Sequence, residues 1–243
     1  MNTLLSLRGI SKRFGGVDVL HDVSADVARG RITALVGPNG SGKSTLNKIL
    51  MGFVRPNAGT CTLDGLELRA SLEARASIGY MPQQPRLPEQ LTGRDLFDLM
   101  HRLRPNAARD ERALEMLDVH RLLDTRLGIL SGGQRQRINA ALALHFSPTL
   151  AILDEPTAGL DPHSAQQLKL LLRELATEGR SVLVTSHVLS ELEMLADDVL
   201  FLLDGRVAFS GPLPALRERA IDGSLEAAIA AVMYPREAAV ETR

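Results

Sequence analysis

Eight consecutive residues, Gly37-Pro38-Asn39-Gly40-Ser41-Gly42-Lys43-Ser44, have the types and spacing to hold a chain of phosphates. Glycines let successive backbone N–H groups curl around an anion with no Cβ in the way. A helix that starts there adds the positive end of its dipole. Lys43 is placed to reach the β- and γ-phosphates, and the Ser44 hydroxyl, followed by Thr45, to ligate Mg²⁺. Such a loop needs a strand before it and a helix after it. Ile32-Thr33-Ala34-Leu35-Val36 reads as a buried strand, and Thr45-Leu46-Asn47-Lys48-Ile49-Leu50-Met51 reads as a helix. A chance glycine turn would lack that frame. The residues point to a bound nucleoside triphosphate.

A second signal lies far along the chain. Leu150-Ala151-Ile152-Leu153 is an apolar strand that runs into Asp154 and Glu155. Strands of a parallel sheet present their C-terminal ends to the ligand crevice. Asp154 is therefore expected beside the phosphate loop, holding Mg²⁺ directly or through water. Glu155 is placed to polarise an attacking water as general base. The plain alternative is a strand that ends in a solvated acidic turn. Upstream, Ser131-Gly132-Gly133 opens a helix read from Gln134 to Leu144. Its hydroxyl, bare N–H groups and helix N-terminus could form a second anion cradle, or an N-cap and nothing more.

The elements that must position these groups alternate between strand and helix, which argues for an α/β fold. Strands are expected at Leu4 to Ile10, Val19 to Val27, Ile32 to Val36 and Thr60 to Leu63. The prolines of the Pro82 to Pro88 stretch indicate an ordered loop. From Leu91 to Leu127 the pattern is helical, broken near Pro105-Asn106. Beyond Gly133 come strand Leu150 to Leu153, helix Pro162 to Thr177, strand Ser181 to Thr185, helix Leu189 to Ala196 and strand Val199 to Leu203. The last thirty-odd residues, with Pro212, Pro214 and Pro235 around short amphipathic pieces, support no firm expectation.

Composition bounds the rest. The 243 residues suffice for one large domain or a domain with a subdomain, and 44% hydrophobic with 23% charged residues suits an ordinary globule. A formal net charge of −1 gives no global basic field for nucleic acid. No run approaches the roughly 18 to 20 apolar residues that cross a bilayer. The N-terminus carries no export signal, so a cytosolic address is expected. The single cysteine, Cys61, excludes an internal disulfide and a multi-thiolate metal site.

Leu130-Ser131-Gly132-Gly133-Gln134 resembles the signature motif of the ATP-binding cassette family, and other motifs of that family follow in order across about residues 4 to 210. Gln83, within Ile78-Gly79-Tyr80-Met81-Pro82-Gln83, resembles the Q-loop glutamine that touches Mg²⁺ and the attacking water. Asp161 resembles the D-loop aspartate that communicates across a dimer, and His187 the switch histidine that contacts the γ-phosphate. Phe14 sits where the family stacks an aromatic ring on adenine. By type alone, His187 suits a surface imidazole, Phe14 a core residue and Gln83 a loop amide. Two positions depart from the family pattern: Leu142 stands where many relatives carry arginine, and Asn139 adds a polar group.

The resemblance implies an α/β P-loop NTPase with a mostly parallel core sheet, an N-terminal antiparallel β-subdomain and a helical signature subdomain. It implies an ATPase domain over residues 1–215, with the helical subdomain inserted at about 85–135, and a short tail at 216–243. ATP and Mg²⁺ are its implied cofactors. The family's phosphate loop and signature lie on different lobes, and this chain has one of each. The implied assembly is a homodimer with two composite ATP sites, closed by ATP and reopened by hydrolysis. A separate integral membrane permease is the second implied partner, received by the loop at Gln83 and the helical insert. Leu91, Leu96, Phe97 and Leu99 would supply part of that cleft, or else the core of the insert. The implied location is peripheral, on the cytoplasmic face of the inner or plasma membrane. Soluble family members that act on the ribosome or nucleic acid are the alternative. They usually carry two cassettes or long insertions, so no nucleic acid is expected here. Met81-Pro82-Gln83 with Leu87-Pro88-Glu89-Gln90-Leu91-Thr92, Ala140-Ala141-Leu142-Ala143-Leu144 with Ser147-Pro148, and Thr185-Ser186-His187-Val188-Leu189-Ser190-Glu191-Leu192-Glu193 also resemble the copper-processing transporters that serve nitrous oxide reductase maturation. A multidrug or lipid exporter is the rival reading.

Overall fold

The computed structural model describes residues 2–220 and 223–234. Its centre is a six-stranded sheet in which β3 (Ile32–Val36) lies between β8 (Ser181–Thr185) and β9 (Asp198–Leu203). Beyond β8 come β7 (Leu150–Asp154) and then β6 (Ile78–Met81). These five strands are parallel, and β10 (Arg206–Pro212) closes the far edge antiparallel to β9. The parallel strands are continuous apolar runs because both of their faces are covered. Ala34, Leu153, Val184 and Phe201 turn to one face, Leu35, Ile152, Leu183 and Leu200 to the other.

The second face packs on α1 (Lys43–Leu50) and on an antiparallel sheet of order β2-β1-β4-β5. There β1 (Thr3–Phe14) and β2 (Val17–Ala28) form a long hairpin, with β4 (Ala58–Leu63) and β5 (Leu66–Glu67) beside β1. The first face carries α5 (Gly132–His145), α6 (Pro162–Thr177) and the helical region between β6 and β7. That region holds α3 (Gly93–Leu103) and α4 (Arg112–Met116), joined by irregular chain around Pro105. Thr92 starts α3 with a capping box: its hydroxyl accepts the Asp95 N–H while the Asp95 carboxylate accepts the Thr92 N–H. Leu96 and Phe97 are buried in the main core, Leu91 packs partly against it, and Leu99 is exposed.

Three regions differ from the sequence expectation. The short α2 (Leu72–Ala76) and strand β6 precede the Pro82 loop, where no strand was expected. β10 has no counterpart in the expected strands, which end at Leu203. An edge strand tolerates the proline at its end, Pro212. The third is the end of the chain. Residue 215, the expected domain limit, lies inside α8 (Leu213–Arg217), and α9 (Leu225–Met233) follows. Leu216, Leu225 and Ala228 are fully buried in the main core, so these helices pack as part of the domain. Residues 221, 222 and 235–243, Pro235 included, lie outside the described residues. After β8, α7 (Leu189–Leu195) completes the elements.

Candidate active site

Strands β3, β6, β7 and β8 run parallel, so their C-terminal ends share one edge of the sheet. The loops that leave them carry the phosphate-loop residues, Gln83, the Asp154-Glu155 pair and His187. These meet in one cleft of about 400 Å³, lined by residues Asn39 to Thr45, Gln83, Asp154, Glu155, His187 and Val19 of β2. A cavity of about 900 Å³ elsewhere, lined by Arg31, Glu193 and Arg217 among others, collects none of the expected site residues.

Gly42 caps α1 at φ +103°, and a Cβ there would meet Leu20 Cδ2 at 2.5 Å. Only glycine fits that corner, which turns the first N–H groups of α1 toward the cleft. Lys43 Nζ donates to the carbonyls of Gly37 at 2.6 Å and Pro38 at 3.0 Å, which hold the ammonium over the loop. Burial pushes the Lys43 ammonium down in pKa, against the opposing pull of Asp154 and Glu155. Two carboxylates face the half-buried cation across the floor of the cleft.

Thr185 at the end of β8 holds the Asp154 carboxylate and the Glu155 backbone. Its hydroxyl donates to Asp154 Oδ1 and accepts the Glu155 N–H at 3.1 Å. Glu155 is buried and held at φ +53°, a conformation costing a non-glycine residue about 1–2 kcal/mol. Its carboxylate accepts the His187 backbone N–H at 3.2 Å, and its Oε1 lies 3.3 Å from His187 Nε2. The Glu155 carbonyl accepts from Gln136 Nε2 of α5 at 3.3 Å. A buried carboxylate contacted by His187, on a backbone held by Thr185 and Gln136 at the mouth of a phosphate loop, can take a proton from an attacking water. Ser44, Asp154 and Gln83 offer hard oxygen donors to the same space, the donor set that Mg²⁺ prefers.

The other expected residues lie outside this cleft. Ser131, Gly132, Gly133 and Gln134 form the first turn of α5, closed on itself by a capping box: Ser131 Oγ accepts the Gln134 N–H and Gln134 Oε1 accepts the Ser131 N–H. A Cβ on Gly133 would lie 2.7 Å from the Gly159 carbonyl, so that turn packs against the loop leading to Asp161. Asp161 itself caps α6, accepting the N–H and the hydroxyl of Ser164 with Pro162 at the first helical position. The Ser164 contacts hold its carboxyl below the usual range. Phe14 ends β1, is 46% exposed, and carries Lys12 Nζ 4.7 Å above its ring. It does not line the cleft.

A family model described as ABC transporter matches residues 20–158. The chain belongs to the ABC transporter family. The lipopolysaccharide export ATP-binding protein LptB of Acidithiobacillus ferridurans is 36% identical over 87% of this chain and 91% of its own length. The ABC transporter ATP-binding/permease protein Rv1747 of Mycobacterium tuberculosis is 39% identical over 86% of this chain, which spans only 25% of that longer protein. Among solved structures, an ATP-binding subunit of an ABC transporter superposes with a TM-score of 0.87 at 30% identity, covering 95% of this chain and 99% of the other. A dimeric cassette, MJ0796, bound to ADP and Pi matches with a TM-score of 0.75 at 27% identity, over 86% of this chain and 98% of the other. This cassette is thus an ATP-binding subunit with the α/β fold of ABC ATPases. Among its described residues no helix is long and apolar enough to cross a membrane.

Four residues of the site escaped the sequence reading: Val19, Thr185, Gln136 and Asn139. Val19 enters from the antiparallel sheet. Thr185 and Gln136 act on backbone and carboxylate groups that only the sheet order brings near. Asn139, flagged in the sequence as an odd polar group, is 4% exposed and donates through Nδ2 to the Pro82 carbonyl at 2.9 Å. Leu142 packs against the main core without a polar role.

Proposed function

We propose that the cassette binds and hydrolyses ATP in this cleft and drives a separate membrane subunit by ATP-dependent dimer closure. The observation that carries this reading is the convergence of Lys43, Ser44, Gln83, Asp154, Glu155 and His187 on one cleft. The phosphate loop, from Gly37 to Thr45, cradles the phosphates, and Lys43 meets the β- and γ-groups. Mg²⁺ would be held by Ser44, Asp154 and Gln83 and would neutralise charge on the phosphates. Glu155 takes the proton of the attacking water, and His187, beside it, reports on the γ-phosphate. Phe14 would reach adenine only through the exposed end of the β1–β2 hairpin.

The first turn of α5 does not line its own chain's cleft, so Ser131, Gly132, Gly133 and Gln134 serve the nucleotide of a second copy. Asp161, capping α6 beside that turn, is the adjoining contact. The dimeric state of MJ0796 supports this arrangement. Hydrolysis removes the γ-phosphate that both copies grip, and the pair reopens. The partner is an integral membrane permease, which places the cassette peripherally on the cytoplasmic face of the inner or plasma membrane. Exposed Leu99 and the loop around Gln83 are available to it.

For cargo, the relatives named for export of lipopolysaccharide and of Nod factor favour the multidrug- or lipid-type exporter reading. The copper-processing reading rests on the local segments alone and does not require this subunit to bind copper. The test of the engine is Glu155→Gln with ATP: light scattering should report a stable dimer that ADP does not support. A monomer at saturating ATP would sink the composite site. Identifying the membrane protein that co-purifies with the cassette tests the coupling, and co-purification with RNA would overturn it.

A further inference from the structure

Helix α5 touches the cleft from behind at two points. Gln136 donates to the Glu155 carbonyl, and Asn139, one turn further on, donates to the Pro82 carbonyl. Both side chains are 4% exposed, on the same face of the helix at i and i+3. A backbone carbonyl can only accept, so the group facing Pro82 must be the Asn139 amide nitrogen. Pro82 immediately precedes Gln83 and has no N–H of its own. Its carbonyl lies one residue past the end of β6, where the chain leaves the sheet, and Gln83 is exposed in the cleft just beyond. Most buried polar groups in a helix facing a core are liabilities unless satisfied. Here the satisfied contact lands on the residue that aims Gln83.

We infer that Asn139 is a positioning residue: its amide latches the Pro82 carbonyl to α5 and so fixes the point from which Gln83 enters the cleft. The helix whose first turn is offered to the partner's nucleotide thereby holds both the Glu155 backbone and the Gln83 loop of its own site. Movement of α5 on dimer closure is transmitted to both. The inference rests on the cleft reading of Gln83 given above.

The experiment is a double-mutant cycle on ATP hydrolysis by the full chain, with nucleotide affinity and thermal unfolding measured alongside. Asn139→Ala removes the donor with the best helix former, and Asn139→Leu removes it while filling the volume. Each should lower kcat by about fivefold, the effect of losing one net hydrogen bond, with nucleotide Kd within about twofold of the parent. In a Gln83→Ala background the same change should cost nothing further, because the residue it aims is gone. Two results overturn the latch: an unchanged kcat in whichever variant folds, or a loss that multiplies with that of Gln83→Ala. An unchanged kcat in Gln83→Ala alone is a different failure. It would remove the cleft role of Gln83, and the latch with it.

Discussion

The cassette presents two surfaces proposed above to meet phosphate, and they are finished to different degrees. In the cleft, groups from four strand ends converge, with Lys43 drawn over the loop and Glu155 held in a strained conformation. At the head of α5, Ser131 and Gln134 satisfy each other, and Gly132 faces open space. The first surface gathers a cation, two carboxylates and a glycine loop from one chain. The second is a self-contained turn that gains chemistry only when something arrives from outside. Both sit at a helix N-terminus, so the dipole does not distinguish them. What differs is whether carboxylates and a cation from other strands are aimed at the same point. A phosphate-binding turn becomes catalytic through its neighbours in the sheet.

The sharpest way to break the comparison is at Glu155. Replacing its carboxylate by an amide preserves shape and removes the base, so Glu155→Gln should lower kcat by roughly 10²–10⁴ while ATP still binds. A variant with near-parent turnover would make the cleft a binding site only. The signature surface predicts the opposite pattern. A Cβ on Gly132 meets nothing within 4 Å, so Gly132→Asp should fold normally. In the assembled dimer its carboxylate opposes phosphate, and turnover should fall about 100-fold, comparable to losing a transition-state donor. Affinity of the monomer for ATP, followed by fluorescent-nucleotide titration, should stay within about twofold. Weaker monomer binding would place the turn in its own chain's site.

Lys43→Ala tests the cleft from the binding side. The ammonium is half-buried and faces phosphate as a charged donor, so its loss should raise the ATP Kd by about 10- to 100-fold. Because Lys43 also closes the loop onto the Gly37 and Pro38 carbonyls, a modest drop in thermal stability without nucleotide is expected too. Unchanged affinity would detach the glycine loop from the nucleotide altogether.

Contiguity explains what was legible in the chain before folding. The phosphate loop carries its strand, turn and helix in one stretch, and β7 ends on Asp154. Each can be read from local order alone. Thr185 could not, because its hold on Asp154 and Glu155 exists only if β8 lies next to β7, and sheet neighbours are set by non-local pairing. Asn139 was visible as an anomaly but not as a contact, since its partner is a backbone carbonyl more than fifty residues away. α9 was obscured by the prolines around it. Its residues Leu225, Ala228 and Ile229 bury against the core at helical spacing, a pattern too short to stand alone in sequence. Phe14 shows the converse case: its type and position suggested an adenine contact, but its place at the exposed end of the β1–β2 hairpin could not be read from the chain alone.

The two surfaces ride on different layers, so the ties between those layers matter, and Asp110 is one of them. It lies just before α4 and accepts from Arg112 at 2.7 Å and from Arg180, which leads into β8, at 2.8 Å. Its side chain is 10% exposed. The hydrogen bonds from Arg112, and then from Arg180, lower its pKa to about 2. A carboxylate whose pKa is depressed in the folded state stabilises above its unfolded value, near 4, and loses that contribution as pH falls through about 2. Asp110→Asn should therefore cost about 2 kcal/mol at pH 7 by chemical denaturation, a figure taken from the depressed pKa. The deficit relative to the parent should shrink between pH 4 and pH 2, where the parent's carboxylate itself becomes neutral. Nucleotide binding at pH 7 should not change, since neither arginine lines the cleft. A deficit that stays constant down to pH 2 would mean that the asparagine variant loses packing rather than charge. The tie between the layers would then be steric.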